Sequence, residues 1–529
     1  GGSGGSSLSA CNKMHVWQLL LTLRCAKAQW VAPTAAAEAL QASIAWAIRK
    51  RSASVVAPAG DLYFNSASLN ISGASSFTLL GNAKGTVLYF TPGVGVKVEN
   101  CSDVVVRALT IDYDPLPYVF GAVKATTAHS TTVVLDARSI TFEQLIEDYP
   151  PHDTWPPVTV FDGRSAERKM GLCGWGRAPA ATRIAPREYA IACGGDGVAL
   201  GDVVVAATRV GFTLALSYTS RVTVRDVTIH AAGNMAITEF QGDGGNVYAN
   251  VSLVPRDATR PLASNADGFH SSGMKRGPHL LRVTMRNLLD DYFNVHTTVQ
   301  LVAEVHAATN SLLVGDYQLF NGSNLEYATQ RTLTRVAVND HVSFFPINTF
   351  TWPAAATGVI ASIARVATPA FQHVLEDAYA AASKRAIATP CSACRAGLNA
   401  HASAQLWNIT LRSALPASIT PLMFLTADAI SNGGARVEEC TFSGSNSNLG
   451  RWKSSGGTIT RSVFRQTENA NLEISPLQNW LEGPLGIHNV TIASNTFVGM
   501  ASSPVHTFGA VDIHVENNTF VPAAFVKSQ

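Results

Sequence analysis

Residues 266–272, ADGFHSS, and residues 288–297, LLDDYFNVHT, decide how this chain is read. The two stretches repeat one pattern at an offset of 24, so that Asp267 answers to Asp291 and His270 to Asn294. That offset is roughly the length of one turn of a parallel β-helix. Stacked turns lie about 4.8 Å apart, so Asp267, Asp290 and Asp291 would crowd one outer face, where like charges do not all ionise at once. Neighbouring strand residues point to opposite faces, and Asp290 and Asp291 can both reach outward only if the backbone bends at that pair.

Apolar pairs elsewhere keep the same period. Val227 and Ile229 are followed 24 residues later by Val251 and Leu253, and Leu109 and Ile111 stand in the same arrangement. Near the C-terminus Phe442, Phe464, Phe497 and Phe520 end strand-like runs, at separations of 22, 33 and 23 that mark single turns, one carrying a longer loop. Two positions before each stand Cys440, Ser462, Asn495 and Asn518, residues able to stack inside a turn. Irregular repeats in a strand-rich chain describe a solenoid, in which each turn buries its apolar face only against its neighbours. The expected fold class is all-β: a parallel β-helix with two inserted β modules and an N-terminal helical cap.

Composition narrows the function. Across 529 residues only 14% are charged and the net charge is +2, so no basic face for nucleic acid is expected. No apolar run approaches the roughly 20 residues that span a bilayer. A solenoid grows in one direction and escapes the usual limit on core size, so one long monomeric body accommodates this length.

Six sections follow along the chain. Residues 1–29 hold a linker-like GGSGGSS start and then MHVWQLLLTLRCAKA, read either as a secretory signal or as a cap helix. Residues 30–119 open on an Ala-rich helical stretch and enter the first turns; 120–210 lose the turn spacing and read as an inserted β module; 211–297 carry the aspartates. A second inserted module is expected over 298–405, and closing turns over 406–529. Eight cysteines define no disulfide framework, and Cys391 and Cys394 form a lone CxxC without a second pair at zinc spacing. Asn70, Asn100, Asn250, Asn321, Asn408, Asn489 and Asn517 begin N-x-S/T triplets, which suit a secreted protein and also arise in a solenoid rich in Asn and Thr.

The runs IDYDPLPYVFG (111–121), residues 201–245, ADGFHSS, LLDDYFNVHT and NLEISPLQNWLEGPLGIHNVTIASNTF (471–497) together resemble glycoside hydrolase family 110. That family comprises α-1,3-galactosidases built on a right-handed β-helix interrupted by small barrels. The resemblance extends from about residue 70 onward and implies that Asp267, Asp290 and Asp291 are the catalytic acids, with Asn294 and His296 near the sugar and an inverting outcome. His270 joins them as a packed or sugar-facing histidine. Trp480 is a candidate sugar platform, Glu482 a hydroxyl acceptor and Lys453 a hydroxyl donor. No metal and no cofactor are called for; the expected partner is an oligo- or polysaccharide, and the expected location is the secretory route or outside the cell.

Other readings of the same residues stand beside this one. Polygalacturonases also present an Asp, an Asp-Asp pair and a later histidine, but their Gly-His-Gly and Asn-Thr-Asp contexts are absent here. A calcium-assisted polysaccharide lyase would place the ion on the carboxylates and use Lys275, Arg276 or Arg282 as base. A non-catalytic glycan-binding solenoid would leave the three aspartates apart.

Overall fold

The computed structural model describes residues 32–148, 158–169, 180–194, 197–207, 209–316, 332–346, 354–366, 405–445, 447–465, 471–476, 482–500 and 503–522. The N-terminal signal-or-cap segment, Cys391, Cys394, Asn321 and Trp480 lie outside them. Among the described residues no helix is long and apolar enough to cross a membrane.

The body is a parallel β-helix. Its in-register columns coincide with the apolar pairs read from the sequence: Val227 pairs with Leu109 on one side and Val251 on the other, and Ile229 with Ile111 and Leu253. Phe442, Phe464, Phe497 and Phe520 stack face to face with ring centres 5.1, 5.1 and 5.3 Å apart. Beside them the residues two positions earlier form a ladder. The Cys440 amide donates to Ser462 Oγ at 3.0 Å, the Ser462 amide to Asn495 Oδ1 at 2.9 Å and the Asn495 amide to Asn518 Oδ1 at 2.8 Å. At the N-terminal end the helix Ala35–Arg49 buries Ala37, Leu40, Ile44 and Ala47 against the first turns, the cap that a solenoid edge needs.

Bulges recur at one place in successive turns. Ala108, Asp226 and Asn250 are skipped by the strand register and all have positive φ, as do Asn489 and Asp512 farther along. Asn tolerates this left-handed conformation better than most residues. Four of the six N-x-S/T asparagines among the described residues, Asn100, Asn250, Asn489 and Asn517, sit there with φ of 52°, 53°, 55° and 54°. The fold itself therefore accounts for most of those triplets.

Two antiparallel modules interrupt the solenoid. The first is a six-stranded sheet of Tyr118–Thr126, Thr131–Leu135, Val158–Phe161, Ala181–Ala185, Glu188–Ile191 and Val203–Ala207, with its own core around Val133, Val160 and Tyr189. Cys193 within it is disulfide-bonded. The second is a closed barrel of Gln300–His306, Ser311–Asp316, His341–Phe345, Ala356–Arg365, Gln405–Leu411 and Phe424–Ala427. The expected boundary at 405/406 falls inside it and is corrected: the turns resume at Arg436–Glu438. Strand periodicity is the same in a barrel and a solenoid, so WNITL reads alike in both.

Candidate active site

One parallel sheet carries the site. Its path runs through Leu214–Ser217, Ile237–Phe240, Phe269–Ser272, Phe293–Thr298, Gly450–Trp452 and Leu472–Ile474, stepping over the barrel between Thr298 and Gly450. Alternation turns Phe269, Phe293 and Val295 into the core and leaves His270, Asn294 and His296 on the opposite face. The register sets His270 beside Asn294, and Asn294 beside Arg451.

Asp267 and Asp291 each stand three residues before these partners, in the bends that enter the strands. Gly268 allows the close approach there, because a Cβ would meet Met285 Sδ at 2.4 Å and the Tyr292 carbonyl at 2.8 Å. Leu289 and Asp290 form the bend at the paired aspartates, where Ser445 Oγ donates to the Asp290 carbonyl at 2.6 Å. Through that bend the oxygens of Asp267, Asp290 and Asp291 come within 4.8 Å of one another.

The run IDYDPLPY braces the loop that delivers Asp267. Asp112 is fully buried and receives Arg260 Nη2 at 2.6 Å and Arg256 Nη1 at 3.1 Å, both from that loop. Tyr118 donates to the Leu262 carbonyl at 3.0 Å, and Asn265 donates to the Pro117 carbonyl at 3.0 Å.

Each carboxylate has a different partner. Asp290 pairs with the Arg209 guanidinium, which arrives on the connection that leaves the first module. Asp291 accepts from Arg451 Nε at 2.6 Å and from the Asn448 amide at 2.9 Å. Burial nevertheless pushes Asp291 up to about 7 against the lowering effect of Arg451, with the charges of Asp290 and Asp267 adding to the rise. Asp267 has an imidazole beside it. It meets His270 Nδ1 at 2.8 Å, and burial together with the charge on Asp290 raises its carboxyl well above the usual range.

A second buried cluster backs the first. Lys453 is fully buried, with Nζ 2.9 Å from Glu482 Oε2 and 3.1 Å from Asn294 Oδ1. Asn294 Nδ2 donates to Glu482 Oε1 at 3.2 Å. Burial would raise Glu482, but Lys453 first, with His296, His270 and Arg451, outweighs it and holds the carboxyl below the ordinary range. Glu482 enters on a short strand, Glu482–Gly483, that pairs antiparallel with Thr297–Thr298. Lys453 and Glu482, expected as a hydroxyl donor and a hydroxyl acceptor, are each other's counter-ion, and Lys453 is fully buried. His270 and His296 are likewise buried, and their ring nitrogens engage protein atoms.

Arg209, Arg451 and Asn448 were not anticipated. Arg451 had a signal, since it precedes Lys453 by two in RWKSSGG and so shares its face. Arg209 had none, because it lies on a connection outside every repeat. Three carboxylates this close could hold a cation, but two guanidiniums already supply the opposing charge. The bases named for a lyase point elsewhere: Lys275 pairs with Asp243 at 3.4 Å, Arg282 with Glu439 at 3.4 Å, and Arg276 donates to the Gly244 carbonyl at 3.4 Å.

No protein-family model matches the chain. No curated protein matches it either. Among solved structures, the A-modules of the mannuronan C-5 epimerases AlgE6 and AlgE4 from Azotobacter vinelandii align at 10% identity and a TM-score of 0.30. The first alignment covers 92% of both chains, the second 91% of this chain and 92% of the other. The catalytic unit of a GH87 α-1,3-glucanase from Streptomyces thermodiastaticus aligns at 10% identity over 91% of this chain and 65% of its own, with a TM-score of 0.23. The parallel β-helix described above rests on this chain's own strand register.

Proposed function

We propose that this protein is a glycoside hydrolase, an exo-acting α-galactosidase that removes α-1,3-linked terminal galactose or a related sugar. The observation that carries the reading is the meeting of Asp267, Asp290 and Asp291 on one outer face, oxygens within 4.8 Å, each with a different partner. Glycoside cleavage needs one carboxyl that carries a proton to the leaving oxygen and another that is ionised. Environments that separate the affinities of neighbouring carboxyls for protons are how one site holds both. The choice of galactose and of the α-1,3 linkage comes from the resemblance of IDYDPLPY, ADGFHSS and LLDDYFNVHT to family 110.

That resemblance also favours inversion. The closeness of single oxygens, within 4.8 Å, supports a second reading, retention, in which carboxyl pairs stand about 5–5.5 Å apart rather than the roughly 6.5–9.5 Å of inverting pairs. Asp290 or Asp291 would then be the nucleophile. We further propose a secreted monomer that needs no metal; the disulfide at Cys193 suits an oxidising compartment.

The test is digestion of α-1,3-galactosyl oligosaccharides and nitrophenyl glycosides, followed by NMR of the first anomer released, with and without excess chelator. Release of β-galactose establishes inversion and release of α-galactose retention, with chelator changing neither. A chelator-sensitive rise in ultraviolet absorbance from a new double bond would replace hydrolysis with a lyase. Sugar binding without release would replace it with a glycan-binding solenoid.

A further inference from the structure

A line of four groups runs from the backbone to the reacting carboxyls. His296 Nδ1 lies 3.0 Å from the Thr297 carbonyl oxygen, a group that only accepts, so this nitrogen carries a hydrogen. His296 Nε2 lies 2.8 Å from His270 Nε2, and the rings are nearly perpendicular. Two ring nitrogens at that distance share one hydrogen. With His296 neutral and its hydrogen already on Nδ1, the donor is His270 Nε2. A neutral His270 then turns a bare Nδ1 toward Asp267 Oδ2, 2.8 Å away, and the hydrogen in that contact belongs to the carboxyl.

We infer that the Thr297 carbonyl, His296 and His270 form a one-way hydrogen-bond line that keeps a proton on Asp267, making Asp267 the resident acid of the site and the two histidines its positioning residues. Burial supports the neutral form of every member. Asp267, His270 and His296 are 4%, 5% and 3% exposed. Burial lowers His270 to about 4 and His296 to about 3, and raises Asp267. The charged groups facing the pair are Asp290 from the bend, Arg209 from the first module's outlet, Arg451 and Lys453 from the next turn, and Glu482 from the antiparallel strand.

The direction of the line is independent of the substrate; its use as an acid rests on the glycosidase reading. In that reaction the Asp267 O–H bond breaks as its proton passes to the glycosidic oxygen, which also takes the electron pair of the C–O bond that breaks. In the inverting course water forms the new C–O bond and gives its proton to Asp290. The ionised Asp267 then faces the bare His270 Nδ1, acceptor against acceptor, which favours recovery of the proton before the next turnover.

The test is ¹H–¹⁵N long-range NMR on protein carrying ¹⁵N-histidine, with signals assigned from His270→Gln and His296→Gln. The expected result near neutral pH is His270 as the Nε2–H tautomer and His296 as the Nδ1–H tautomer. An Nδ1–H tautomer or an imidazolium at His270 overturns the inference, whether or not the protein cleaves galactosides. If it does cleave them, His296→Phe frees His270 to turn an N–H toward Asp267. The alkaline limb of kcat/KM should then move to lower pH by a unit or more. In His296→Gln an amide oxygen accepts from His270 and an amide nitrogen reaches Thr297, so the limb should stay in place. An unmoved limb in folded His296→Phe also overturns the inference.

Discussion

Asp267 loads the protein with a cost that its neutral replacement removes. A carboxyl whose folded affinity for protons is raised stabilises the fold most below its unfolded value of about 3.9, and that contribution drains away as pH climbs toward the raised folded value. Asp291 behaves alike between about 4 and about 7. Asp267→Asn keeps a donor toward His270, so its melting temperature should match the parent at pH 4 and exceed it by on the order of 2–4 °C at pH 7, while turnover falls about 1,000-fold. A gap that stays constant with pH would show that Asp267 is an ordinary carboxylate. The Lys453–Glu482 pair tests the second cluster. Lys453→Met strands a buried charge and should cost about 3–5 kcal/mol, and adding Glu482→Gln should restore much of it; additive losses in urea melts would deny the pairing. The aspartates were legible because they repeat. Lys453 and Glu482 were legible as polar residues near the site, but their pairing was not, since they are distant in sequence and meet only once a strand after the barrel folds back onto Thr297–Thr298.

At the scale of elements, the ladder inside the turns does what side chains rarely do, taking over backbone bonds at the place where each strand ends. Asn495 both accepts the Ser462 amide and donates from Nδ2 to the Ile459 carbonyl at 2.8 Å. Asn495→Ala leaves the buried Ser462 amide without an acceptor and should cost about 1–3 kcal/mol, whereas Asn495→Asp retains an acceptor and brings in a buried charge instead. Urea unfolding of the Ala variant that shows no loss would mean the ladder is incidental. The turns themselves were legible because the ladder and the apolar pairs keep a period. The edge of the second module was not, because its last two strands, Gln405–Leu411 and Phe424–Ala427, read as strands of either body and differ in their antiparallel partners. The outlet of the first module was unreadable for the opposite reason. Arg209 belongs to no pattern at all, yet it supplies the counter-charge to Asp290.

Across the whole molecule, the solenoid supplies a line of identical sites and the insertions break that identity. Stability in such a body is a sum of nearest-neighbour contacts, so one substitution should weigh differently along the phenylalanine stack. Phe442, Phe464 and Phe497 are fully buried, each ring sandwiched between others, while Phe520 is 51% exposed on the last of the described turns. Phe464→Ala removes contacts on both faces and should cost about 3–5 kcal/mol. Phe520→Ala removes contacts on one face only and should cost about 1 kcal/mol or less, by the area that remains buried. Hydrogen exchange separates the two in space as well as in size. Loss of Phe520 should unprotect Ala510–Glu516 and Thr519–Pro522 while the amides around Asp267 and Asp291 keep their protection, because several turns and the Glu482 strand lie between them. Loss of Phe464 opens the turn that pairs directly with Thr441–Ser445, and that strand's Ser445 holds the Asp290 bend. Deprotection should therefore spread to the aspartates in that variant alone. Equal costs at the two positions, or exchange that rises uniformly through the chain in both, would mean that the body unfolds as one unit and that its end turns are as tightly bound as its middle.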